Sequence, residues 1–293
     1  FSVDTVSRRV YEVRFKNLKT GDILATSIEN STGSVAWAND SQTVFYTSKN
    51  ETTLLGEKIW RHKLGTENSD VMVYHETDET FYNGVYRSKS GKFIIIYHSS
   101  TLLTDYQILN ANNPDGEFKR FTPRDFDHEY SIDHYKDRFY ITTNWKAKNN
   151  RLMQTPDTRT GISNWKEVLP HRENVHLLSL EVFKDHLVIN ERKNGLRQLR
   201  MINQQTGNDE YIKFEEETYT SWVSVNEEFD TDILRFSYSS LVTPTSTFDY
   251  NMNSGQRSLL KQDEVVGGYD SNKYMSKRMY ATARDGNSVP ISI

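Results

Sequence analysis

Short apolar segments in a polar frame recur at nearly constant intervals along the chain. Their first residues lie 49, 46, 46, 47 and 49 residues apart and are Tyr11, Trp60, Tyr106, Leu152, Leu199 and Phe248. A glycine follows most of them closely, at Gly21, Gly65, Gly116, Gly161, Gly207 and Gly255. Glycine adopts the positive φ that tight hairpin turns demand, so these positions predict turns. A period of this length is typical of repeat folds.

Each later repeat contains four strand-like runs. In the repeat around Trp60, two runs at 34–38 and 43–47 precede the anchor, and one at 70–74 follows it. The enrichment in β-branched and aromatic residues favours strands. A run such as 94–96 is apolar on both faces, which predicts that its strand is covered on both sides. Four short antiparallel strands per repeat are the signature of β-propeller blades. The repeats of a β-sandwich would be roughly twice as long.

The pattern predicts an all-β fold with five complete four-stranded blades, at 33–75, 81–121, 129–168, 177–214 and 221–262. Residues 9–27 add only the last two strands, or half, of an earlier blade, and 273–293 indicate a hairpin of another type. We therefore expect an incomplete propeller over 1–265, a different domain beginning at 266–293, and a chain that is a fragment. Nine apolar residues should be largely buried between blades: Trp37, Tyr46, Phe93, Ile95, Phe139, Leu187, Val188, Trp222 and Phe236.

The composition excludes several classes of protein. The 293 residues contain 36 Lys and Arg against 40 Asp and Glu, a balance unsuited to binding nucleic acid by charge. No run of 18 apolar residues exists, so no membrane partner is expected. The absence of cysteine excludes disulfides and thiolate metal sites, and it suits a reducing compartment. An aromatic content of 12% excludes a disordered chain.

The residues alone reveal no catalytic machinery, and we expect no metal and no cofactor. No G-x-S-x-G or H-E-x-x-H motif is present, and the two histidines within 128–134 have the wrong spacing for a helical zinc site. Carboxylates near the ends of first strands suit a carbohydrate-active propeller, but acidic residues are common at such turns: Asp40, Asp133, Asp185 and Glu227. That enzyme class and a stand-alone interaction scaffold stay open as alternatives.

Several motifs occur in a fixed order over essentially the whole chain. They are WANDS at 37–41, WRHKLG at 60–65, DHEYSIDHY at 127–135, PHREN at 170–174, YSSLVTP at 238–244 and ARDGNSVP at 283–290. Together they resemble the oligopeptidase B branch of the prolyl oligopeptidase family of serine peptidases. The resemblance implies a seven-bladed propeller over an α/β-hydrolase domain. Residues 266–293 would be the first strands of that domain, and the Ser, Asp and His of its triad would lie beyond Ile293.

The resemblance also implies a function. A cytoplasmic parent enzyme would cleave short basic peptides after Lys or Arg by acyl transfer to a serine, while the chain alone is expected to be inactive. The propeller would gate access to its own peptidase domain as a lid and size filter. Charged residues on two loops before first strands are candidates for gating or for the domain interface: Arg124, His128, Glu129, Arg172 and Glu173.

An incomplete propeller also implies bare surfaces. The strands at 9–27 should present an unpaired edge, and the last blade, 221–262, should expose an apolar face. Unpaired edges and large apolar patches favour association with other chains. We therefore expect either self-association or a longer molecule.

Overall fold

The computed structural model describes residues 1–66, 70–124 and 128–293. Its regular elements within these ranges are β-strands and two short 3₁₀ turns, Ile162–Asn164 and Ser271–Lys273. The chain divides into two compact units, the first formed by 1–139 with 155–165 and the second by 140–154 with 166–293. Among the described residues, no helix has the length and apolar character needed to cross a membrane.

The first sheet has six antiparallel strands that neighbour each other in chain order. They are β1 (Ser2–Val3), β2 (Tyr11–Lys16), β3 (Ile23–Trp37), β4 (Thr43–Lys49), β5 (Gly56–Lys63) and β6 (Val71–His75). Strand β3 serves two blades, because its first half pairs with β2 and its second half with β4. The sequence predicted two separate strands here, and it did not indicate β1.

A bend in β3 explains how one strand serves two blades. The register with β4 shifts between Ser31 and Val35, and Asn30 and Gly33 have φ of 51° and 92°. Such a bulge increases the local twist without ending the strand. A Cβ on Gly33 would lie 2.8 Å from Cγ of Tyr11, so only glycine leaves room for this ring.

Four further sheets are four-stranded antiparallel meanders, which is the construction of a propeller blade. They contain β7 (Tyr82–Arg87), β8 (Phe93–Ser99), β9 (Thr104–Asn110) and β10 (Lys119–Arg120); β11 (Tyr130–Tyr135), β12 (Arg138–Thr143), β13 (Arg151–Pro156) and β14 (Lys166–Leu169); β15 (Val175–Val182), β16 (His186–Lys193), β17 (Leu196–Asn203) and β18 (Asp209–Tyr211); and β19 (Thr220–Val223), β20 (Ile233–Ser239), β21 (Ser246–Asn251) and β22 (Arg257–Gln262). With β3–β6 as the first, the five predicted blades are confirmed. A hairpin follows, formed by β23 (Arg278–Thr282) and β24 (Ser288–Ser292).

Apolar faces of neighbouring blades share a core within each unit. In the first unit, β3–β6 and β7–β10 meet through a cluster that includes Phe45, Ile59, Val85, Ile94 and Ile96. In the second unit, β15–β18 and β19–β22 meet through a cluster that includes Val188, Leu199, Leu234, Phe236 and Tyr238. Because both faces of these strands are covered, the doubly apolar runs read from the sequence are explained.

Seven of the nine predicted core residues are buried, with between 0% and 8% of their surface exposed. The two exceptions, Trp37 and Trp222, are half-buried. Both lie on the first strand of a blade and pair there with one neighbouring strand, Trp37 with Val44 and Trp222 with Ser237. A bulky indole in such a position keeps part of its surface exposed.

Candidate functional site

The candidate residues lie at one end of their blades. Adjacent strands of a meander alternate in direction, so the turn between the second and third strands lies at the same end as the connection to the next blade. We call this the connection end. Arg124, His128 and Glu129 belong to the connection before β11, and Arg172 and Glu173 to the connection before β15. Residues 125–127 of the predicted loop lie outside the described residues.

The segment after the last blade packs onto the connection end in the second unit. Ser276 Oγ donates a hydrogen bond to Glu216 Oε2 at 3.0 Å, and the backbone N–H of Arg278 donates to Glu217 Oε2 at 3.1 Å. The Arg278 guanidinium donates to the carbonyl of Asn194, in the turn between β16 and β17. The chain that follows the last blade is therefore held by the connection before β19 and by the turn between β16 and β17, not by the loops that carry the predicted gating residues.

Glu216 is the carboxylate at the centre of this contact. Besides Ser276, its oxygens accept hydrogen bonds from Thr243 Oγ1 at 2.5 Å and Tyr238 Oη at 3.0 Å. Burial favours the neutral acid, but hydroxyl donors, with Ser240 among them, keep the pKa of Glu216 below its usual value. The residue is therefore an anion at neutral pH and joins a blade connection, a turn and the departing chain.

Arg124 lies in an ion cluster of the first unit. Its Nη2 donates to Glu76 Oε2 at 2.8 Å, and its Nε donates to Asp105 Oδ2 at 3.0 Å. Arg120 pairs with the same oxygen of Asp105, and the Arg124 guanidinium lies 4.3 Å from the ring centre of Phe81. The Glu76 and Asp105 side chains are only 6% and 2% exposed, so Arg124 neutralises two buried acids.

The pKa values of the two acids in this cluster are shifted in opposite directions. Burial would raise the pKa of Glu76, but hydrogen bonds from Arg124, the Tyr74 hydroxyl and the Asp78 N–H lower that pKa to about 2. For Asp105, burial outweighs its two arginine partners and raises the pKa above the usual range. Glu76 is therefore an anion at neutral pH, with Arg124 as its charged partner.

The neighbouring His98 is neutral. Burial, and then the charge of Arg124, lower the pKa of His98 to about 3. Its Nδ1 lies 2.5 Å from Asn83 Oδ1, and its Nε2 lies 3.1 Å from Gln107 Nε2. The amide groups fix the tautomer, because Asn83 offers an acceptor and Gln107 a donor. His98 is a packed core residue rather than an acid or base.

Arg172 pairs with a buried carboxylate in the second unit. Its guanidinium donates to Glu191 Oε1, on β16, and the Glu191 side chain is fully buried. Arg200 Nη1 lies 3.3 Å from the same oxygen, and Tyr211 Oη donates to Oε2 at 2.7 Å. Both arginines selected from the sequence are thus built into ion clusters at the connection end.

The sequence model described as "Prolyl oligopeptidase, N-terminal beta-propeller domain" matches residues 1–263. The chain belongs to the prolyl oligopeptidase family. Among its relatives, dipeptidyl aminopeptidase BI of Pseudoxanthomonas mexicana is 39% identical over 296 residues, covering 100% of this chain and 40% of that protein. Protease 2 of Moraxella lacunata is 30% identical over 285 residues, covering 96% and 41%.

Solved structures of the family agree with this assignment. Oligopeptidase B from Leishmania major superposes with a TM-score of 0.89 at 27% identity, over 100% of this chain and 42% of that one. Oligopeptidase B from Trypanosoma brucei, in its closed form with covalently bound antipain, gives 0.86 at 30% identity, over 99% and 42%. The chain therefore spans about two fifths of the length of these peptidases.

The other three candidates for gating or for the domain interface, His128, Glu129 and Glu173, differ in exposure. His128 is 5% exposed, stacks on Tyr130 with ring centres 5.4 Å apart, and meets Trp165 edge-on at 6.0 Å. Glu129 is exposed, and the side chain of Glu173 is 88% exposed. Of the five candidates, these two glutamates are therefore the exposed ones.

One feature of the prolyl oligopeptidase propeller was missed by sequence reasoning. A cleft of about 210 Å³ opens at the connection end beside the Arg124 cluster, and its acidic lining includes Glu57, Glu76, Asp78 and Glu79. Three of these acids fall within the run Glu76-Thr-Asp-Glu79, a local excess of negative charge that could have indicated the cleft. Within the ranges 1–66, 70–124 and 128–293, no group of three His, Cys, Asp or Glu residues is placed to hold a metal ion.

Of the carboxylates considered for carbohydrate chemistry, Asp40 and Asp185 lie in turns, whereas Asp133 lies on β11. Asp40 accepts hydrogen bonds from the N–H of Gln42 at 3.0 Å and of Thr43 at 2.9 Å. Asp185 accepts one from Gln205 Nε2 at 3.0 Å. These contacts stabilise strand-joining turns, which is the ordinary role of aspartate at such positions.

Proposed function

We propose that this chain is the substrate-gating propeller of a serine oligopeptidase that cleaves short peptides after lysine or arginine. The likeness to oligopeptidase B supports this most, since two such structures match 99% or more of the chain at TM-scores of 0.86 and 0.89. In this proposal, 1–265 form the propeller and 266–293 begin the peptidase domain. A cytoplasmic location belongs to the proposal, because a chain without cysteine suits a reducing compartment.

The chemistry would be acyl transfer. A serine activated by histidine attacks the peptide carbonyl, and preorganised donors stabilise the oxyanion. This chain would contribute access and position. Its connection end holds the segment 266–293 through Glu216 and Glu217, and in this proposal that segment would lead to the peptidase part. The acidic cleft of Glu57, Asp78 and Glu79 would attract cationic peptides to the connection end of the first-unit blades.

A dipeptidyl aminopeptidase is the second candidate, and the 39% identity with dipeptidyl aminopeptidase BI supports it. Such an enzyme removes dipeptides from a free amino terminus. It must recognise an α-ammonium group, which is also a cation. The acidic cleft is therefore compatible with both candidates, and the substrate must separate them.

The test is to express the complete product of the gene that encodes this chain and to assay two short substrates. An amino-terminally blocked Arg-Arg coumarin amide reports cleavage after arginine, and an unblocked dipeptidyl coumarin amide reports dipeptide release. Efficient cleavage of the blocked substrate, with rejection of a folded protein containing the same sequence, supports the first proposal. Cleavage of the unblocked substrate alone supports the second. A folded product inactive on both would overturn both and favour an interaction scaffold.

A further inference from the structure

Three polar side chains of the first unit form a hydrogen-bonded series. Ser90, in the turn between β7 and β8, places its Oγ 2.8 Å from Nδ1 of His134, on β11. The His134 Nε2 lies 3.4 Å from Oδ2 of Asp157, which directly follows β13. The turn between the first and second strands lies at the end of the blade opposite the connection end. This group is therefore separate from the residues discussed above.

The surrounding hydrogen bonds give the series one direction. The N–H of Phe93 donates to Ser88 Oγ at 3.0 Å, and Ser88 Oγ lies 3.1 Å from Ser90 Oγ. Ser88 thus accepts from the backbone and can donate to Ser90. The Ser90 hydroxyl is then free to donate to His134 Nδ1, and Nε2–H donates to Asp157. Every hydrogen-bonding group in the series has a compatible role.

The environment keeps the imidazole available as a base. His134 is 3% exposed, with the rings of Phe93 and Phe139 each centred 4.9 Å away. Burial is the main reason that the pKa of His134 is lowered, so the ring is neutral at pH 7. Lys92 Nζ pairs with Oδ2 of Asp157, the same oxygen that His134 Nε2 approaches, so Nδ1 of His134 is left to the serine.

Ser90 is accessible as well as hydrogen-bonded. It is partly exposed, and the next residue, Gly91, turns the chain with a φ of 72°. Ser90 is thus partly exposed while its partner His134 stays buried. A nucleophile bonded to a base that is oriented by a third group is the general arrangement of an activated serine.

We propose that Ser90 is an activated nucleophile, with His134 as its base and Asp157 as the residue that positions the imidazole. Toward a small activated ester, the bond from Ser90 Oγ to the acyl carbon forms and the ester bond to the aryl oxygen breaks. The serine proton passes to His134 Nδ1, and the aryl group leaves as its oxyanion. The product is an acyl ester of Ser90.

The backbone around Ser90 limits this reaction to good leaving groups. The N–H of Gly91 donates to the Ser88 carbonyl at 2.8 Å, and that of Phe93 is bonded to Ser88 Oγ. The N–H of Lys92 lies 3.5 Å from Ser90 Oγ. Because the N–H groups of Gly91 and Phe93 are already hydrogen-bonded, the turn does not offer a pair of donors to a developing oxyanion. Acylation by an aryl ester is therefore expected, and hydrolysis of peptide amides at Ser90 is not.

The experiment treats the 293-residue chain with p-nitrophenyl acetate and follows nitrophenolate release together with the acetylated positions by peptide mass spectrometry. Ser254 is a matched control, because it also precedes a left-handed turn glycine, Gly255, and is more exposed than Ser90. We expect one equivalent of rapid release and acetylation of Ser90 about 100-fold faster than of Ser254, the usual contribution of a general base. Equal or slower labelling of Ser90 would overturn the proposal.

Variants and pH identify the base. Ser90→Ala should abolish the rapid release, His134→Gln should slow it about 100-fold, and Ser254→Ala should leave it unchanged. For the unmodified chain, the rate should rise with a pKa below the usual histidine value and stay level above pH 7. A rate that keeps rising with hydroxide would contradict His134 as the base, even if the His134 variant fails to fold.

Discussion

The two arginine clusters at connection ends look alike in sequence but differ in what they join. Arg124 binds Glu76, after β6, and Asp105, on β9, so it ties together elements of two blades. Arg172 binds Glu191 on β16, and the other cation there, Arg200, comes from β17 of the same blade. The first cluster therefore holds neighbouring blades together, whereas the second attaches a loop to its own blade.

The number of remaining partners distinguishes the clusters further. Without Arg172, Glu191 would keep Arg200 and the Tyr211 hydroxyl. Without Arg124, the partners that the buried Glu76 keeps among the described residues are neutral donors, such as the Tyr74 hydroxyl at 2.8 Å. Leaving a buried charge without a countercharge is much more costly than losing one of several partners. The contribution of a charged loop residue to stability thus depends on how many other partners its buried carboxylate has.

The largest expected change in unfolding free energy comes from replacing Arg124, and replacing Arg172 provides the comparison. Arg124→Ala should lower the free energy of unfolding by about 3 kcal/mol, since it strands a buried carboxylate. Arg172→Ala should cost about 1 kcal/mol, the value of one lost hydrogen bond with others retained. Urea denaturation measures both. Lys261→Ala, which breaks a pair between side chains 77% and 58% exposed, is the control with little expected change. Equal costs for the two arginines would remove the distinction.

The pH dependence of stability should also distinguish the two acids of the Arg124 cluster. The pKa of Glu76 is about 2 when folded, against an ordinary value of 4.5. Because the folded pKa is depressed, this stabilisation is complete above about pH 4.5 and is lost as the pH falls toward 2. Asp105 has the opposite sign, since its raised pKa makes its contribution largest at low pH and smaller as the pH rises.

Glu76→Gln tests this linkage. Between pH 6 and pH 3, the variant should lose about 2 kcal/mol less of its unfolding free energy than the unmodified chain. The comparison is made by urea denaturation at the two pH values. Glu173→Gln, at a side chain that is 88% exposed, should keep the original pH dependence. An unchanged pH dependence in the Glu76 variant would show that this carboxylate is not the source.

Much of the fold could be predicted because its signals are local. The recurring apolar segments and the glycines that follow them place all five blades within a few residues. The continuous strand β3 was missed, because 9–27 and 33–75 were assigned to different blades, and the bulge that lets one strand serve both blades leaves no separate sequence signal. The partners of Arg124 and Arg172 could not be predicted, since Glu76 and Glu191 lie 48 and 19 residues away and only the packed blades bring them together. The same holds for Ser90 and His134, 44 residues apart.

The acidic cleft gives the first unit a role that the Arg172 region lacks, if the proposed peptidase function holds. Asp78→Asn with Glu79→Gln should lower kcat/KM of the complete gene product for dibasic peptides severalfold at low salt. The loss should shrink as salt screens the charges. The matched control is Glu210→Gln, which removes an exposed charge on β18, in the blade of the Arg172 cluster. An equal loss in the control, or a loss that does not depend on salt, would contradict steering by the cleft.

The smallest effect concerns the outer edges of the two units. In the first, β1 pairs with β2 through Ser2 and Val13, so the predicted edge is partly covered. In the second, every residue of β22 is exposed, with Leu259 at 53% and Leu260 at 50%.

Weak, concentration-dependent self-association should therefore occur through β22, since bare edges with apolar side chains pair with other chains. Sedimentation velocity of the chain should show it, and Leu259→Lys should reduce it by placing a charge on the edge. Leu18→Lys, at a first-unit turn residue that is 91% exposed, should have no effect, because exposure without a free strand edge gives no template for pairing. A monomer at all concentrations, or equal effects of both lysines, would mean that β22 is not an adhesive edge.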